Sequence, residues 1–207
     1  LHRALRQQGE AMKDIKPVVF IVDDDSSVRR SLERLVRSVG LTAKSFASAK
    51  EFLQYGHGKE TGCLVLDMRM PEISGLELQE KMTRAGILLP IIFISGHGTV
   101  PMSVRAMKAG ALDFLQKPFD EQDLLEAVYR ALDRCRQARE ERQEVETLQA
   151  RVRSLTPKEY EVFTWVITGI PNKNIAERLA TAEKTVKVHR ASIMKKMGAE
   201  SVAALVR

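Results

Sequence analysis

The stretch Cys63-Leu-Val-Leu-Asp-Met-Arg-Met-Pro-Glu-Ile-Ser-Gly75 decides the reading of this chain. Its first four residues form a short apolar strand that ends abruptly on one carboxylate, Asp67, and a loop closed by Pro71 and Gly75 follows. Open α/β sheets place their chemistry at the C-terminal ends of buried strands. The question is therefore what else the chain brings to that edge.

Working outward, Val18-Val-Phe-Ile-Val22 is rich in β-branched residues and runs straight into Asp23-Asp24-Asp25. Residues 26–39 show helical spacing, with Val28, Leu32, Leu35 and Val39 on one face, arginines opposite and Gly40 as the stop. A short strand is expected over 42–46, and Ser48 with Glu51 reads as a capping box opening the next helix. After the strand at 63–66 come a helix near 76–85 and a strand over 91–94. Ser95-Gly-His-Gly98 reads as a turn, and a helix over 100–109 is stopped by Gly110. The last strand, 114–116, ends in Lys117-Pro118-Phe119, and Asp120 caps the helix that begins at Glu121. Strands alternating with helices in this way predict a doubly wound five-stranded parallel sheet. Such a sheet gathers Asp23, Asp24, Asp67, Ser95 and Lys117 on one edge.

The helical pattern continues from Leu124 through a mixed-charge segment without Gly or Pro, residues 134–153. Val145, Leu148, Val152 and Leu155 repeat at steps of 3 and 4, which fits either a coiled-coil seam or a solvated linker helix. Thr156-Pro157-Lys158-Glu159 is a strong helix start, with an N-cap, a first-turn Pro and a capping-box Glu. Beyond it lie a short helix over 172–179, a tight turn, a longer helix over 183–197 closed by Gly198, and a last helix near Glu200. This is the order of a helix-turn-helix, whose second helix enters the major groove.

Composition sets the bounds. Apolar content of 44% and charged content of 29% over 207 residues are those of a globular chain of one or two domains. The longest apolar run, 87–94, is interrupted by Pro90 and is too short to span a bilayer, and no signal-peptide pattern is visible. Cys63 and Cys135 match no metal spacing and read as reduced thiols of a cytoplasmic protein. The net charge of +6 is uneven: residues 155–207 carry +4 and residues 16–133 carry −1. One half is thus expected to regulate and the other to meet a polyanion. Residues 1–16 lack periodicity and read as an N-terminal extension, a candidate for disorder, with Met12 a candidate natural start.

Carboxylates converging on one edge repel one another and call for a cation. Few protein oxygens beside phosphate suit Mg²⁺, with Mn²⁺ the alternative. A carboxylate there can act as a nucleophile toward phosphorus, with Lys117 and Ser95 placed to stabilise the phosphoryl oxygens. Each residue alone has a blander reading: the Asp run as a helix cap, Asp67 as a turn former, Phe114 as plain strand core, and His97 as a loop residue without chemistry. On the helix over 183–197, Val186, Ile193 and Met197 fall on one face and Lys184, Lys187, Val188, Ala191 and Lys195 on the other, with His189 and Arg190 at the boundary. The first set would face a core, and the second would offer lysines to phosphates and Val188 to a thymine methyl.

Residues 17–133, with these motifs in order, resemble the receiver domain of two-component response regulators. The resemblance implies that Asp67 is the phosphoacceptor, charged by a sensor histidine kinase. It also implies that Asp23, Asp24, Asp67 and the backbone carbonyl of Arg69 hold Mg²⁺, and that Ser95 and Phe114 are the switch pair. Lys117 would bind the phosphoryl group, and Lys117–Pro118 is expected to be a cis peptide. Leu155-Thr-Pro-Lys-Glu159, Asn172-Lys-Asn-Ile-Ala-Glu-Arg-Leu179 and Lys184-Thr-Val-Lys-Val-His-Arg190 resemble the LuxR-type DNA-binding domain. That implies double-stranded DNA as a partner, contacted by Asn172, Lys173, Lys184, Thr185, Lys187, Val188, Arg190, Ala191 and Lys195. The intervening residues 134–154 are the linker, and the whole resembles the FixJ/NarL class of transcription regulators. Dimerisation through the helix over 100–109 follows from that resemblance, as do contact with RNA polymerase and activation rather than repression. Such a receiver promotes its own phosphorylation without being a turnover enzyme. Ala180-Thr181-Ala182 departs from the pattern: Ala180 must manage a turn where Gly is usual, and Ala182 lacks a Ser cap worth about 1 kcal/mol. Two rivals remain in view, a Mg²⁺-dependent phosphohydrolase and a DNA-binding protein with a vestigial receiver. The first would need an acid/base Asp where Arg69 stands; the second would have lost Asp24, Asp67 or Lys117.

Overall fold

The computed structural model describes residues 16–56, 61–96 and 100–206. Residues 1–15, with Met12, and His97 lie outside the described residues. The order of elements is β1 (Val18–Val22), α1 (Ser26–Ser38), β2 (Thr42–Phe46), α2 (Ala49–Gln54), β3 (Gly62–Asp67), α3 (Gly75–Arg84), β4 (Ile91–Ser95), α4 (Val100–Lys108) and β5 (Asp113–Gln116). Then follow α5 (Glu121–Arg153), α6 (Pro157–Val166), α7 (Asn172–Arg178), α8 (Glu183–Met197) and α9 (Val202–Val206). The chain divides into two compact units between Ala138 and Arg139.

In the first unit the five strands are all parallel, in the order β2-β1-β3-β4-β5. Strands β1, β3 and β4 are buried along their whole length, so they read as continuous apolar runs. Their alternate residues feed two separate cores. Val18, Phe20, Val22, Leu64, Leu66, Ile91 and Phe93 pack with Phe52, Leu78, Met82 and Ala106 on one face. Val19, Ile21, Cys63, Val65, Ile92 and Ile94 pack with Leu32, Val36, Leu124 and Val128 on the other. Each large side chain so buried contributes roughly 1.5–3 kcal/mol. A slip of one residue in any central strand would exchange the two sets, which fixes the register.

Local signals were only partly right. The buried face of α1 is Leu32 and Val36, whereas Val39, expected on it, is the C-cap residue and 37% exposed. At α2, Ser48 accepts from the Glu51 amide as expected, but the Glu51 carboxylate turns to the amide of Ala47 instead of closing the box on Ser48. A complete capping box occurs at Ser74 and Glu77, where none was read. The segment after Leu132 is one helix with what precedes it, α5 running unbroken to Arg153. Its apolar seam divides: Val152 and Leu155 pack into the second core, while Val145 and Leu148 stay exposed. Among the described residues no helix is long and apolar enough to cross a membrane.

The loop after Asp67 is held close to the sheet. The Gly75 amide bonds the Met68 carbonyl, and a Cβ on Gly75 would stand 2.5 Å from the Asp67 carbonyl oxygen and 2.9 Å from Phe93 Cε1. Gly75→Ala must therefore displace the backbone at Asp67. Overpacking of this kind costs about 1–3 kcal/mol. We expect urea denaturation followed by circular dichroism to show that loss while the fluorescence of Trp165, which lies in the second unit, keeps its midpoint. Coincident wild-type and variant curves by both probes would contradict the clash.

Candidate functional site

Strand order brings the acidic residues together. Because β1 lies between β2 and β3, the chain reverses its direction of winding there, and the C-terminal ends of β1 and β3 flank the crevice of the sheet. Asp23 follows β1 and Asp67 is the last residue of β3; both are buried. Lys117 arrives from the end of β5, and its ammonium lies 2.7 Å from Asp23 Oδ2 and 2.8 Å from Asp67 Oδ1. Its own amide donates to the Ser95 carbonyl at 2.8 Å. The Lys117–Pro118 peptide is cis, as expected.

The remaining carboxylate oxygens are engaged by the main chain. Asp23 Oδ1 accepts from the Asp25 amide at 2.8 Å, and Asp67 Oδ2 from the Arg69 amide at 2.7 Å. Asp25 is spent on structure: it caps α1, and the Ser27 hydroxyl, followed by the amides of Ser27 and Val28, donates to its carboxyl and holds it below the usual range. Burial pushes the Asp23 carboxyl up despite the bond from Lys117. Burial also pulls the Lys117 ammonium down, but its two carboxylate partners outweigh that and keep it above the ordinary lysine value.

Of the residues expected at the site, Asp23, Asp67 and Lys117 thus form one bonded cluster. Asp24 stands beside it, exposed, and its carboxylate takes no ion pair among the described residues. Ser95 is buried at the end of β4, and Phe114 is half-buried opposite Phe93 in the sheet. No group of three or more His, Cys, Asp and Glu side chains at metal spacing occurs among the described residues. Mg²⁺ does not require one, since it keeps several waters and takes one or two carboxylates. Two buried carboxylates sharing a single ammonium are donors of the right hardness with lone pairs to spare, so they fit such an ion.

Sequence reasoning missed Arg29. Its Nη1 donates to the carbonyls of Asp23 at 2.7 Å and Asp24 at 2.9 Å. The sequence pattern puts the arginines of α1 opposite its apolar face, and nothing in helical spacing signals a bond back to the preceding loop.

In the second unit, Val162, Val166, Ile175, Val186, Ile193 and Met197 form the core of α6, α7 and α8. As expected, the opposite face of α8 is open: Lys184, Thr185, Lys187, Val188, Ala191 and Lys195 are all exposed, Val188 by 62%. Lys173 is exposed on α7. Arg190 differs: its Nη1 donates to Asn172 Oδ1 at 2.8 Å, so these two residues tie α8 to the start of α7. Lys187 pairs with Glu183 one turn earlier. The turn between α7 and α8 carries the expected strain, Ala180 at φ 48°, and Ala182, the N-cap of α8, offers no side-chain cap.

What compensates is a second residue whose full role the sequence hid. Glu159, in the capping box with Thr156, also accepts from Ser192 Oγ at 2.6 Å and Lys196 Nζ at 2.6 Å, both on α8. Lys196 bonds the Ser154 carbonyl as well, and Arg151 Nη1 bonds the Met197 carbonyl at the end of α8. The recognition-type helix is therefore anchored from its C-terminal half.

Comparison with known proteins bears on both units. Residues 19–129 match the family described as response regulator receiver domain, and residues 153–207 match the bacterial regulatory proteins of the luxR family. The chain belongs to the response regulators that join a receiver domain to a LuxR-type helix-turn-helix domain, the FixJ/NarL class, and is a transcriptional regulator. It is 50% identical over 201 residues to Nodulation protein W of Bradyrhizobium diazoefficiens, covering 97% of this chain and 88% of that one. It is 42% identical over 189 residues to Transcriptional regulatory protein FixJ of Rhizobium meliloti, covering 91% and 93%. Among solved structures, the response regulator StyR matches with a TM-score of 0.86 and 49% identity, over 92% of this chain and 96% of that one.

The Glu159 network makes a pH prediction. The bonds from Lys196, Ser192 and Thr156 lower its carboxyl from 4.5 to about 2. A carboxyl held down in the folded state stabilises fully above its unfolded value, and that contribution is lost as pH falls from 4.5 toward 2. Trp165 is the single tryptophan and packs on this core, so its fluorescence follows this unit alone in the full chain. In Glu159→Gln the urea midpoint read by Trp165 is expected to be lower at pH 7 and nearly independent of pH between 4.5 and 3. Parallel pH curves for both proteins would show that Glu159 is not the titrating group.

Proposed function

We propose that Asp67 is phosphorylated by a sensor histidine kinase and that this controls DNA binding by the second unit. The observation that carries the reading is the single ammonium of Lys117 bonded to both Asp23 and Asp67 at the switch point of a parallel sheet. An oxygen of Asp67 attacks the phosphorus of a phosphohistidine; the new O–P bond forms as the P–N bond breaks and the imidazole leaves. Lys117 is placed to exchange its bond to Asp67 for one to a phosphoryl oxygen. Asp23, Asp24, Asp67 and the Arg69 carbonyl would hold Mg²⁺ (or Mn²⁺), which supplies positive charge against the carboxylates and the incoming oxygens.

In this reading residues 17–133 are the receiver, 134–154 the linker and 155–207 the output domain, working in the cytoplasm. Ser95 and Phe114 move toward the modified Asp67 and change the surface of α4. That helix already carries an apolar stripe: Val100 is 77%, Val104 44% and Met107 46% exposed, at spacings of 4 and 3. A stripe of this kind supports an isologous dimer, which would place two α8 helices on a two-fold DNA site. Lys173, Lys184, Thr185, Lys187, Val188, Ala191 and Lys195 would make the contacts, with Asn172 and Arg190 acting as a bonded pair. Contact with RNA polymerase and activation of transcription follow from the class. The vestigial-receiver alternative loses ground because Asp24, Asp67 and Lys117 are all present.

Incubation with acetyl phosphate is expected to give a Mg²⁺-dependent shifted band on a phosphate-affinity gel, absent in Asp67→Asn. Labelling of Asp67→Asn to the wild-type extent would refute the phosphoacceptor. Val104→Asp, on the exposed stripe, should be labelled normally yet stay monomeric in light scattering under conditions where the labelled wild type dimerises. A labelled Val104→Asp dimer would move the interface elsewhere.

A further inference from the structure

We propose that Arg29 is a positioning residue for the cation site, holding the Asp23-Asp24 loop by its main chain so that the carboxylates stay available to a divalent ion. This rests on the phosphoacceptor reading above and extends it to a residue outside the acidic cluster.

Arg29 stands in the second turn of α1, among Asp23, Asp24 and Asp25. A guanidinium in that company would ordinarily pair with carboxylates, bidentately where it can. Arg29 does not. Its Nη1 bonds two carbonyl oxygens, of Asp23 and Asp24, and among the described residues it forms no ion pair. The two bonds fix consecutive peptide groups, and so the directions in which the side chains of Asp23 and Asp24 leave the chain. The other end of the same loop is fixed independently, since Asp25 caps α1 and donates its amide to Asp23 Oδ1. Between these anchors the loop has little freedom, although Asp24 is exposed and its carboxylate takes no hydrogen bond or ion pair among the described residues.

Two effects of Arg29 on cation binding have opposite sign, which makes the proposal decidable. As a charge, the guanidinium repels an incoming cation, so removing it should tighten binding. As an anchor, it removes freedom that the ion would otherwise have to freeze out, so removing it should weaken binding. Groups that orient ligands from behind are typically worth 10–100-fold in metal affinity. That exceeds what one partly solvated charge contributes at high effective dielectric and ionic strength, so the anchoring effect wins.

The test is a magnesium titration of the full chain followed by amide NMR, with thermal melting in EDTA as a control for folding. Arg29→Met keeps the aliphatic stem and loses both donor and charge; Arg29→Lys keeps the charge on a shorter arm. Half-saturation for Arg29→Met is expected at about tenfold higher Mg²⁺ than for the wild type, with Arg29→Lys in between. Labelling by acetyl phosphate should recover at saturating Mg²⁺, because the loss is one of affinity. If Arg29→Met destabilises the fold in EDTA, Arg29→Lys alone decides, and an unchanged midpoint there overturns the proposal. Equal or tighter binding by a folded Arg29→Met also overturns it and leaves Arg29 as a repelling charge, with the phosphoacceptor reading intact. A wild type that shows no saturable Mg²⁺ response overturns both.

Discussion

The bond that the first unit depends on is the pairing of Lys117 with two buried aspartates. Two carboxylates at the end of a buried strand pair would not both stay ionised without a cation. Supplying it from β5 links the two flanks of the sheet: β1 and β3 meet at the crevice, β5 is the far edge strand, and only the ordered strands between them bring the ammonium to both acids. The parity of the strands is tied to the same point. Odd and even residues of β1, β3 and β4 fill different cores, so the register that buries Phe20 and Ile21 correctly also delivers Asp23 and Asp67 to one edge. Core packing and site assembly are one constraint here, not two.

How much of this the sequence showed depends on the distance over which each feature is decided. The central strands were legible because a run such as 18–22 or 63–66 is apolar whatever its neighbours do, and the acids and the lysine follow those runs directly. Boundaries were less so: Gly62 and Asp67 belong to β3 because ladder pairing with β1 and β4 extends past the apolar run, which only the partners can tell. The face of α1 was misjudged at Val39 because the helix stops one residue short and that side chain leaves the stripe. The capping box at Ser74 was overlooked within a loop read for its Pro and Gly, although the signal, Ser three residues before Glu, was there. Arg29, Ser192 and Lys196 could not have been found this way. Their partners are main-chain oxygens or a carboxylate 33 and 37 residues away, and no spacing rule reaches them.

The helix-turn-helix shows local weakness offset at longer range. Ala180 adopts a left-handed φ that costs a residue with a Cβ, and Ala182 leaves the first amides of α8 uncapped by a side chain. Both defects sit at the N-terminal end of α8, next to the exposed residues that would meet DNA. Ser192 and Lys196 on Glu159, and Arg151 on the Met197 carbonyl, all act on the other half of the helix. The anchoring thus lies away from the exposed Lys184, Lys187 and Val188 of the first half of α8.

The two units each bury a carboxylate against a lysine, and the two carboxyls differ in how fully their charge is compensated. At Glu159 the donors dominate: an ammonium, a hydroxyl and an amide hold the carboxyl well below its ordinary value, to about 2. Its charge is compensated, and nothing is gained by further positive charge. At Asp23 burial dominates over the same kind of lysine bond, and the carboxyl is pushed up. Each has a lysine partner, so the difference lies in what is left over: Lys117 divides its charge between two acids, and among the described residues each of these oxygens has one partner. An under-compensated buried acid is stabilised by whatever brings positive charge to it, and a site in that condition responds to ligands where a satisfied one does not. The imbalance at Asp23 suits the cation and phosphoryl chemistry proposed for that sheet edge, whereas the donors on Glu159 tie α8 to α6.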